Sequence, residues 1–126
     1  MDKFGFSERE WNESKKEAAK AMIHRARVRG TIPYSEIVNH IHAARLEAHD
    51  VRLWHLLGEI SEEEDAAGRG MLSVIVVHKM GDMQPGPGFF ELAGRLGRYT
   101  SDILACWVNE LKKVHAYWSQ QSSSAR

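Results

Sequence analysis

Groups suited to ligand binding lie together in this chain just after a short apolar run. The run Met71 to Val77 is followed by His78 and Lys79, and then by a loop rich in glycine and proline that leads into Phe89. Backbone N–H groups at the start of a helix attract anions, and a neighbouring histidine or lysine adds positive charge. The sequence therefore predicts an anion or small-ligand site, on a binding protein or an enzyme, formed by His78, Lys79, Gly86, Gly88 and Phe89.

The same loop also has a purely structural interpretation. Its spacing, Pro85-Gly86-Pro87-Gly88, matches neither a P-loop nor a dinucleotide-binding fingerprint. Phe89 and Phe90 are large apolar side chains of the kind that anchor a helix in a core. Under this interpretation their N–H groups are capped by a protein oxygen, and Lys79 points into solvent.

Two segments of opposite charge are further candidates for binding surfaces. The second half of the first predicted helix is basic, and Lys16, Lys20 and Arg27, together with Lys79, are predicted to contact DNA phosphates. The end of the third predicted helix is acidic, and such a cluster speeds association with a basic protein partner. The residues of this predicted partner surface are Glu62, Glu63, Glu64 and Asp65. A solvated helix face without a partner is the alternative for both segments.

The residue pattern predicts neither a catalytic centre nor a metal site. His40 and His42 are two residues apart, which is the wrong spacing for one helical face, and a metal needs three or four converging ligands. A carboxylate–lysine site of the metal-dependent nuclease type requires a carboxylate where this chain has Val77. Cys106 is interpreted as a small buried apolar residue. No cofactor is predicted.

Length and composition indicate one domain. The 126 residues carry 17 basic and 17 acidic side chains, so no net charge draws the chain to nucleic acid or to an anionic membrane. A single cysteine excludes an internal disulfide and suits a reducing compartment. No segment approaches the ~20 apolar residues of a membrane span, and the charged N-terminus lacks the apolar stretch of a signal peptide. We expect a cytoplasmic protein with no membrane partner.

The hydrophobic pattern predicts a mostly helical α+β domain with a small sheet over residues 1–119, followed by a disordered polar tail over 120–126. Ser7 and Glu10 form a capping-box pattern at the first helix, and Asp50 is a predicted N-cap for the third, which is expected to bury Trp54. The apolar run Met71 to Val77 predicts a central strand covered on both faces. The predicted helices span 8–29, 34–41, 51–67, 89–96 and 102–118, with an extended segment at 31–33.

Three short motifs resemble those of a family of small uncharacterised bacterial proteins. The motifs are Gly-Arg-Gly-x-Leu-Ser at 68–73, Val-Val-His-Lys at 76–79 and Pro-Gly-x-Gly-Phe-Phe at 85–90. This resemblance covers most of the chain and implies no particular activity.

The order of the motifs also looks like the winged helix of DNA alkyltransferases. In that family a tyrosine opens a short helix, a strand then carries Pro-Cys-His-Arg, and a glycine-rich loop follows. Tyr34, His78 and the basic Lys79 match this pattern, whereas Val76 and Val77 stand in place of the proline and the reactive cysteine. The resemblance therefore implies a winged-helix-like DNA-binding protein that has lost alkyl transfer, with Tyr34 among its DNA contacts.

Three functional hypotheses follow from these observations. The leading one is a non-enzymatic, winged-helix-like module that binds DNA or regulates a DNA-acting system. The second is an immunity or adaptor protein that docks a basic partner on the acidic surface around residues 59–65. The third is a small-ligand or anion-binding protein, or an enzyme, at His78, Lys79 and the loop Pro85 to Gly88.

Overall fold

The computed structural model describes residues 4–78 and 85–124, with side chains described as far as residue 120. Five α-helices, two short strands and two 3₁₀ turns occur in these ranges. The helices are α1 (Glu8–Arg27), α2 (Tyr34–Ile37), α3 (Val51–Ala66), α4 (Pro87–Arg95) and α5 (Ile103–Ser124). The strands are β1 (Ile32–Pro33) and β2 (Val76–Val77), and the 3₁₀ turns are Val38–His40 and Leu72–Ile75. The predicted α+β class, mostly helical with a small sheet, is confirmed.

The first helix begins where the capping box predicted it. Ser7 Oγ accepts a hydrogen bond from the Glu10 N–H at 3.1 Å, and Glu10 Oε1 accepts one from the Ser7 N–H at 2.8 Å. The reciprocal hydrogen bonds between Ser7 and Glu10 satisfy two of the N–H groups that a helix start leaves without partners. At its other end, the helix stops at Arg27 rather than at the predicted Arg29, because Arg29 takes a positive φ of 56° and the chain turns there.

The segment Met71 to Val77 is buried as predicted, but most of it does not form the predicted strand. Leu72–Ile75 form a 3₁₀ turn, and only Val76 and Val77 form a strand. All seven residues are buried, and six of them are fully inaccessible to solvent. An apolar run without alternation fits any segment that is covered on all sides, so its pattern cannot distinguish a strand from a tight helical turn.

The sheet consists of two residues on each strand. Strand β1 pairs with β2 in parallel, with Ile32 opposite Val76 and Pro33 opposite Val77. This pairing places the start of α2, at Tyr34, next to the end of β2, at His78. The short sheet therefore determines which two loops meet at one end of the molecule.

The core is built by α1, α3 and α5 around the buried 3₁₀ turn. A buried carboxylate also joins these parts, since Glu110 is only 5% exposed. Its oxygens accept hydrogen bonds from the Met71 N–H at 2.8 Å and from Arg98 Nε at 2.9 Å. Arg98 Nη2 also donates to Asp65 Oδ1 at 2.5 Å, so the end of α3, the 3₁₀ segment and α5 are connected through Arg98 and Glu110.

Several helix boundaries differ from the sequence prediction. The predicted helix 34–41 is divided into α2 and a 3₁₀ turn, while α4 starts two residues early, at Pro87. Helix α5 continues to Ser124, into the segment that the sequence assigned to a polar tail. Trp54 is 41% exposed instead of buried. Among the helices in the described part of the chain, none is long and apolar enough to cross a bilayer.

Candidate functional site

Three of the residues that the sequence selected for an anion or small-ligand site line a cavity between α3 and α4. We call it the α3–α4 pocket, and its volume is about 380 Å³. Gly86, Gly88 and Phe89 come from the start of α4, and Tyr34 comes from the start of α2. The remaining wall is formed by α3, the 3₁₀ segment and the rest of α4, through Val51, Trp54, His55, Leu57, Gly58, Glu59, Glu62, Ser73, Glu91, Leu92 and Arg95.

Tyr34 joins the two loops at one end of this pocket. Its phenol oxygen accepts a hydrogen bond from the Gly86 N–H at 3.0 Å, and its ring lies 5.0 Å from the ring of His78 between centroids. The side chain is 9% exposed, and burial raises the pKa of the Tyr34 phenol above its usual value, against the opposing effect of the Gly86 N–H. His78, Gly86, Gly88 and Phe89 are thus brought together, while Lys79 lies outside the described residues.

Two N–H groups at the start of α4 are already bonded within the protein. Gly86 is the N-cap and Pro87 the first helical residue, a position where the missing proline N–H is no loss. The Phe89 N–H donates to the Gly86 carbonyl at 3.1 Å, and the Phe89 ring is 7% exposed. The N–H groups of Gly86 and Phe89 are both occupied, so neither is available to an anion.

The carboxylates of the α3–α4 pocket differ in their partners. Glu59 accepts hydrogen bonds from Trp11 Nε1 at 3.0 Å and from Lys15 Nζ at 3.3 Å. Glu62 and Glu91 are exposed and form no ion pair with any residue that the structure describes. The pocket therefore has one carboxylate that is paired with a lysine, and two exposed carboxylates that form no ion pair among the described residues.

Three of the four residues in the predicted partner surface are already paired. Glu63 Oε2 lies 2.5 Å from Lys15 Nζ, Glu64 Oε2 lies 2.7 Å from Arg69 Nη2, and Asp65 bonds to Arg98. The hydrogen bond from Arg98 lowers the pKa of the Asp65 carboxyl, because it favours the charged form. This pairing supplies the positive charge that an acidic helix C-terminus needs.

The remaining member of that surface, Glu62, lies at the α3–α4 pocket instead. The structure therefore divides the predicted acidic surface between ion pairs within the chain and one exposed pocket carboxylate.

The basic half of α1 forms one wall of a second cavity, which we call the basic groove. Lys16, Lys20, His24 and Arg27 follow one another at intervals of four, four and three residues, and all are exposed. Such intervals place side chains on one face of a helix. The groove has a volume of about 940 Å³, and His40 and His42 also line it.

The acidic groups of the basic groove are engaged in contacts of their own. Glu17 Oε1 accepts hydrogen bonds from the N–H groups of His42 at 2.8 Å and Ala43 at 2.9 Å. Glu36 forms an ion pair with Arg25, whose Nη1 also donates to the Thr31 carbonyl at 2.8 Å. The exposed cations therefore outnumber the available carboxylates in this groove.

The structure separates the residues that were predicted to contact DNA. Lys16, Lys20 and Arg27 lie together in the basic groove. Tyr34 is buried and lines the α3–α4 pocket, and Lys79 lies outside the described residues. His24 belongs to the same helical face and was not selected from the sequence, although its position, four residues after Lys20, was a sufficient signal.

Possible metal ligands and the cysteine are the remaining side chains that could carry chemistry. Within residues 4–78 and 85–120, no three histidine, cysteine, aspartate or glutamate side chains converge in a way that could hold a metal ion. Cys106 is 5% exposed, and burial, with a smaller effect of the Glu110 charge, raises the pKa of its thiol. A thiol of this kind is a poor nucleophile because the thiolate is the reactive form.

Comparison of the chain with protein-family models, with curated proteins and with solved structures found no significant match. Functional inference for this protein therefore depends on the two cavities and on the side chains that line them.

Proposed function

We propose that this protein is a non-enzymatic, winged-helix-like module that binds duplex DNA through the basic groove. The observation that carries the proposal is the single exposed face of Lys16, Lys20, His24 and Arg27 on α1. Phosphate contacts supply most of the sequence-independent affinity of a DNA-binding protein, and they come mainly from lysine and arginine.

The dimensions of this face support contact with several phosphates. Arg27 lies eleven positions after Lys16 on α1, which corresponds to about 16 Å along the helix axis. Phosphates follow one another about every 3.4 Å of axial rise along one DNA strand. The face is therefore long enough to follow one strand across several phosphates.

The state of the charges supports the same conclusion. Lys16 has only a 3.5 Å contact with Glu13 on its own helix, and both of these side chains are more than half exposed. Lys20 and Arg27 form no ion pair with the residues that the structure describes. Exposed ion pairs contribute at most about 1 kcal/mol, so the Lys16 contact is easily exchanged for a phosphate. The net charge of zero does not oppose this, because the positive charge is concentrated on one face.

The test is the affinity of two charge variants for a fluorescein-labelled DNA duplex, measured by anisotropy at low salt. The first variant, Lys16→Gln with Lys20→Gln, removes two cations from the groove. Its control, Arg45→Gln with Lys112→Gln, removes two exposed cations that do not line the groove. We expect the groove variant to weaken binding by about tenfold or more, and the control by less than about threefold.

Equal losses in both variants would show that only bulk charge matters, and this result would contradict the proposed surface. Absence of binding by the unmodified protein would exclude DNA as its partner altogether. Circular dichroism of both variants checks that the helices are intact, and retention is expected because all four substituted side chains are exposed.

A further inference from the structure

We propose that the α3–α4 pocket binds a small organic cation, an amine with an apolar body that lies between α3 and α4 while its charge meets Glu62 and Glu91. This site is separate from the proposed DNA surface, since none of the residues that line it belongs to the basic groove. The two proposals can therefore fail independently.

Apolar side chains line both the inner surface and the mouth of the pocket. Leu57, Phe89 and Leu92 are buried and form its inner surface, whereas Trp54 and Val51 are 41% and 54% exposed at its mouth. Large apolar side chains that stay exposed beside a cavity are typical of a binding site. A volume of about 380 Å³ falls within the range of about 300–1,000 Å³ that small-molecule sites occupy.

The charges of the pocket favour a cation over an anion. Glu62 and Glu91 are exposed carboxylates without an ion pair, and Arg95 is the one lysine or arginine among the lining residues that the structure describes. Two backbone donors that an anion could use are already occupied, because the Gly86 N–H donates to Tyr34 and the Phe89 N–H donates to Gly86.

The aromatic ring at the mouth strengthens the same preference. The indole of Trp54 is exposed at the pocket, and an indole face attracts a cation through its quadrupole. The ring and the two carboxylates together match an ammonium group attached to an apolar body.

A buried hydroxyl adds a directional contact in the wall of the pocket. Ser73 is 7% exposed, and its Oγ lies 2.6 Å from Ser61 Oγ, from which it accepts a hydrogen bond. Ser61 Oγ in turn accepts the Ser73 N–H at 2.9 Å. A serine hydroxyl has two lone pairs and one hydrogen, so Ser73 Oγ keeps one lone pair available for an amine N–H.

Three ligands of the same apolar size but different charge test this proposal. They are phenethylamine, which is a cation, phenylethanol, which is neutral, and phenylpropionate, which is an anion. Each is titrated into the ¹⁵N-labelled full-length protein while amide and indole signals are followed by NMR. We expect saturable shifts with phenethylamine at Trp54, Gly58, Glu62 and Glu91, weaker shifts with phenylethanol, and none with phenylpropionate.

Two variants assign the contacts. Glu62→Gln with Glu91→Gln should weaken phenethylamine by about tenfold and leave phenylethanol unchanged, whereas Trp54→Ala should weaken both. The control, Glu8→Gln with Glu47→Gln, removes two exposed carboxylates outside the pocket and should change nothing. Similar affinities for all three ligands, a preference for phenylpropionate, or shifts only outside the pocket would each overturn the proposal. No shift with phenethylamine up to its solubility limit would also overturn it.

Discussion

The phenol oxygen of Tyr34 accepts a hydrogen bond from the backbone N–H of Gly86 at 3.0 Å, across 52 residues of sequence. This contact joins the start of α2 to the start of α4 and closes one end of the α3–α4 pocket. It also occupies the Gly86 N–H, one of the groups predicted to bind an anion, and this supports the proposal of a cationic ligand for the pocket.

Substitution of Tyr34→Phe is expected to destabilise the protein by about 1–3 kcal/mol, because the buried Gly86 N–H loses its acceptor. Urea unfolding followed by circular dichroism measures this change. The matched control is Tyr99→Phe, which removes the hydroxyl of a tyrosine that is 77% exposed and should change stability by less than about 0.5 kcal/mol. Equal effects of the two substitutions would show that the Tyr34–Gly86 contact contributes nothing.

Substitution of Glu110→Gln is expected to cost about 3 kcal/mol, since it removes the charge from a buried ion pair and leaves Arg98 only partly compensated. The loss should lie at the lower end of the range for buried pairs, because Asp65 continues to bond Arg98. Glu13→Gln, an exposed carboxylate of α1, is the control in the same urea titration. A Glu110→Gln protein as stable as this control would contradict the connecting role assigned to Glu110.

A charged substitution in the buried segment Met71 to Val77 is expected to reduce stability strongly. Val74→Asp should cost several kcal/mol or prevent folding, because Val74 is fully buried and the substitution places a charge in the apolar interior. Val28→Asp places the same side chain at a position that is 71% exposed, and we expect less than about 1 kcal/mol. Comparable melting temperatures for the two variants would refute the central position of this segment.

The N-cap of α3 predicts a specific acid dependence of stability. The hydrogen bonds of Asp50 with the Arg52 side chain lower the pKa of this carboxyl to about 2, against the opposing effect of burial. A carboxyl whose folded-state pKa lies below its unfolded-state value near 3.9 stabilises the fold above that value, and the contribution is lost as the pH falls towards 2.

We therefore expect Asp50→Asn, which keeps a capping oxygen, to lose less stability than the unmodified protein between pH 5 and pH 2. Thermal unfolding across this interval provides the comparison. Parallel stability curves for the two proteins would exclude a lowered pKa for Asp50 as a source of the acid dependence.

The parts of this fold that depend on local chemistry were predictable from the sequence. Ser7, Glu10 and Asp50 act through hydrogen bonds to residues two or three positions away, and α1 and α3 begin where these residues predict. The type of the segment at 71–77 was not predictable in this way. Its 3₁₀ turn is held by contacts with Ser61 on α3 and Glu110 on α5, which no local pattern records.

The contacts at the candidate sites were also only partly predictable from the sequence. Of the residues predicted for the loop site, Gly86, Gly88 and Phe89 line one pocket because they are neighbours in the chain, and His78 lies beside Tyr34 at its end. The pairing of Glu63, Glu64 and Asp65 with Lys15, Arg69 and Arg98 was not predictable, since two of these cations are 33 or more residues away. The exposure of Trp54 was missed for a related reason: helical spacing identifies a face but does not tell how far the core extends around it.

The most direct test of the proposed DNA surface is the salt dependence of binding. For each phosphate contact, log affinity falls with log salt concentration by a slope of about 0.9. We predict that the Lys16→Gln, Lys20→Gln protein has a slope about 2 units shallower than the unmodified protein, and that the Arg45→Gln, Lys112→Gln control retains the original slope. The same slope in all three proteins, or no binding of the unmodified protein at tens of micromolar in low salt, would contradict DNA binding through the basic groove.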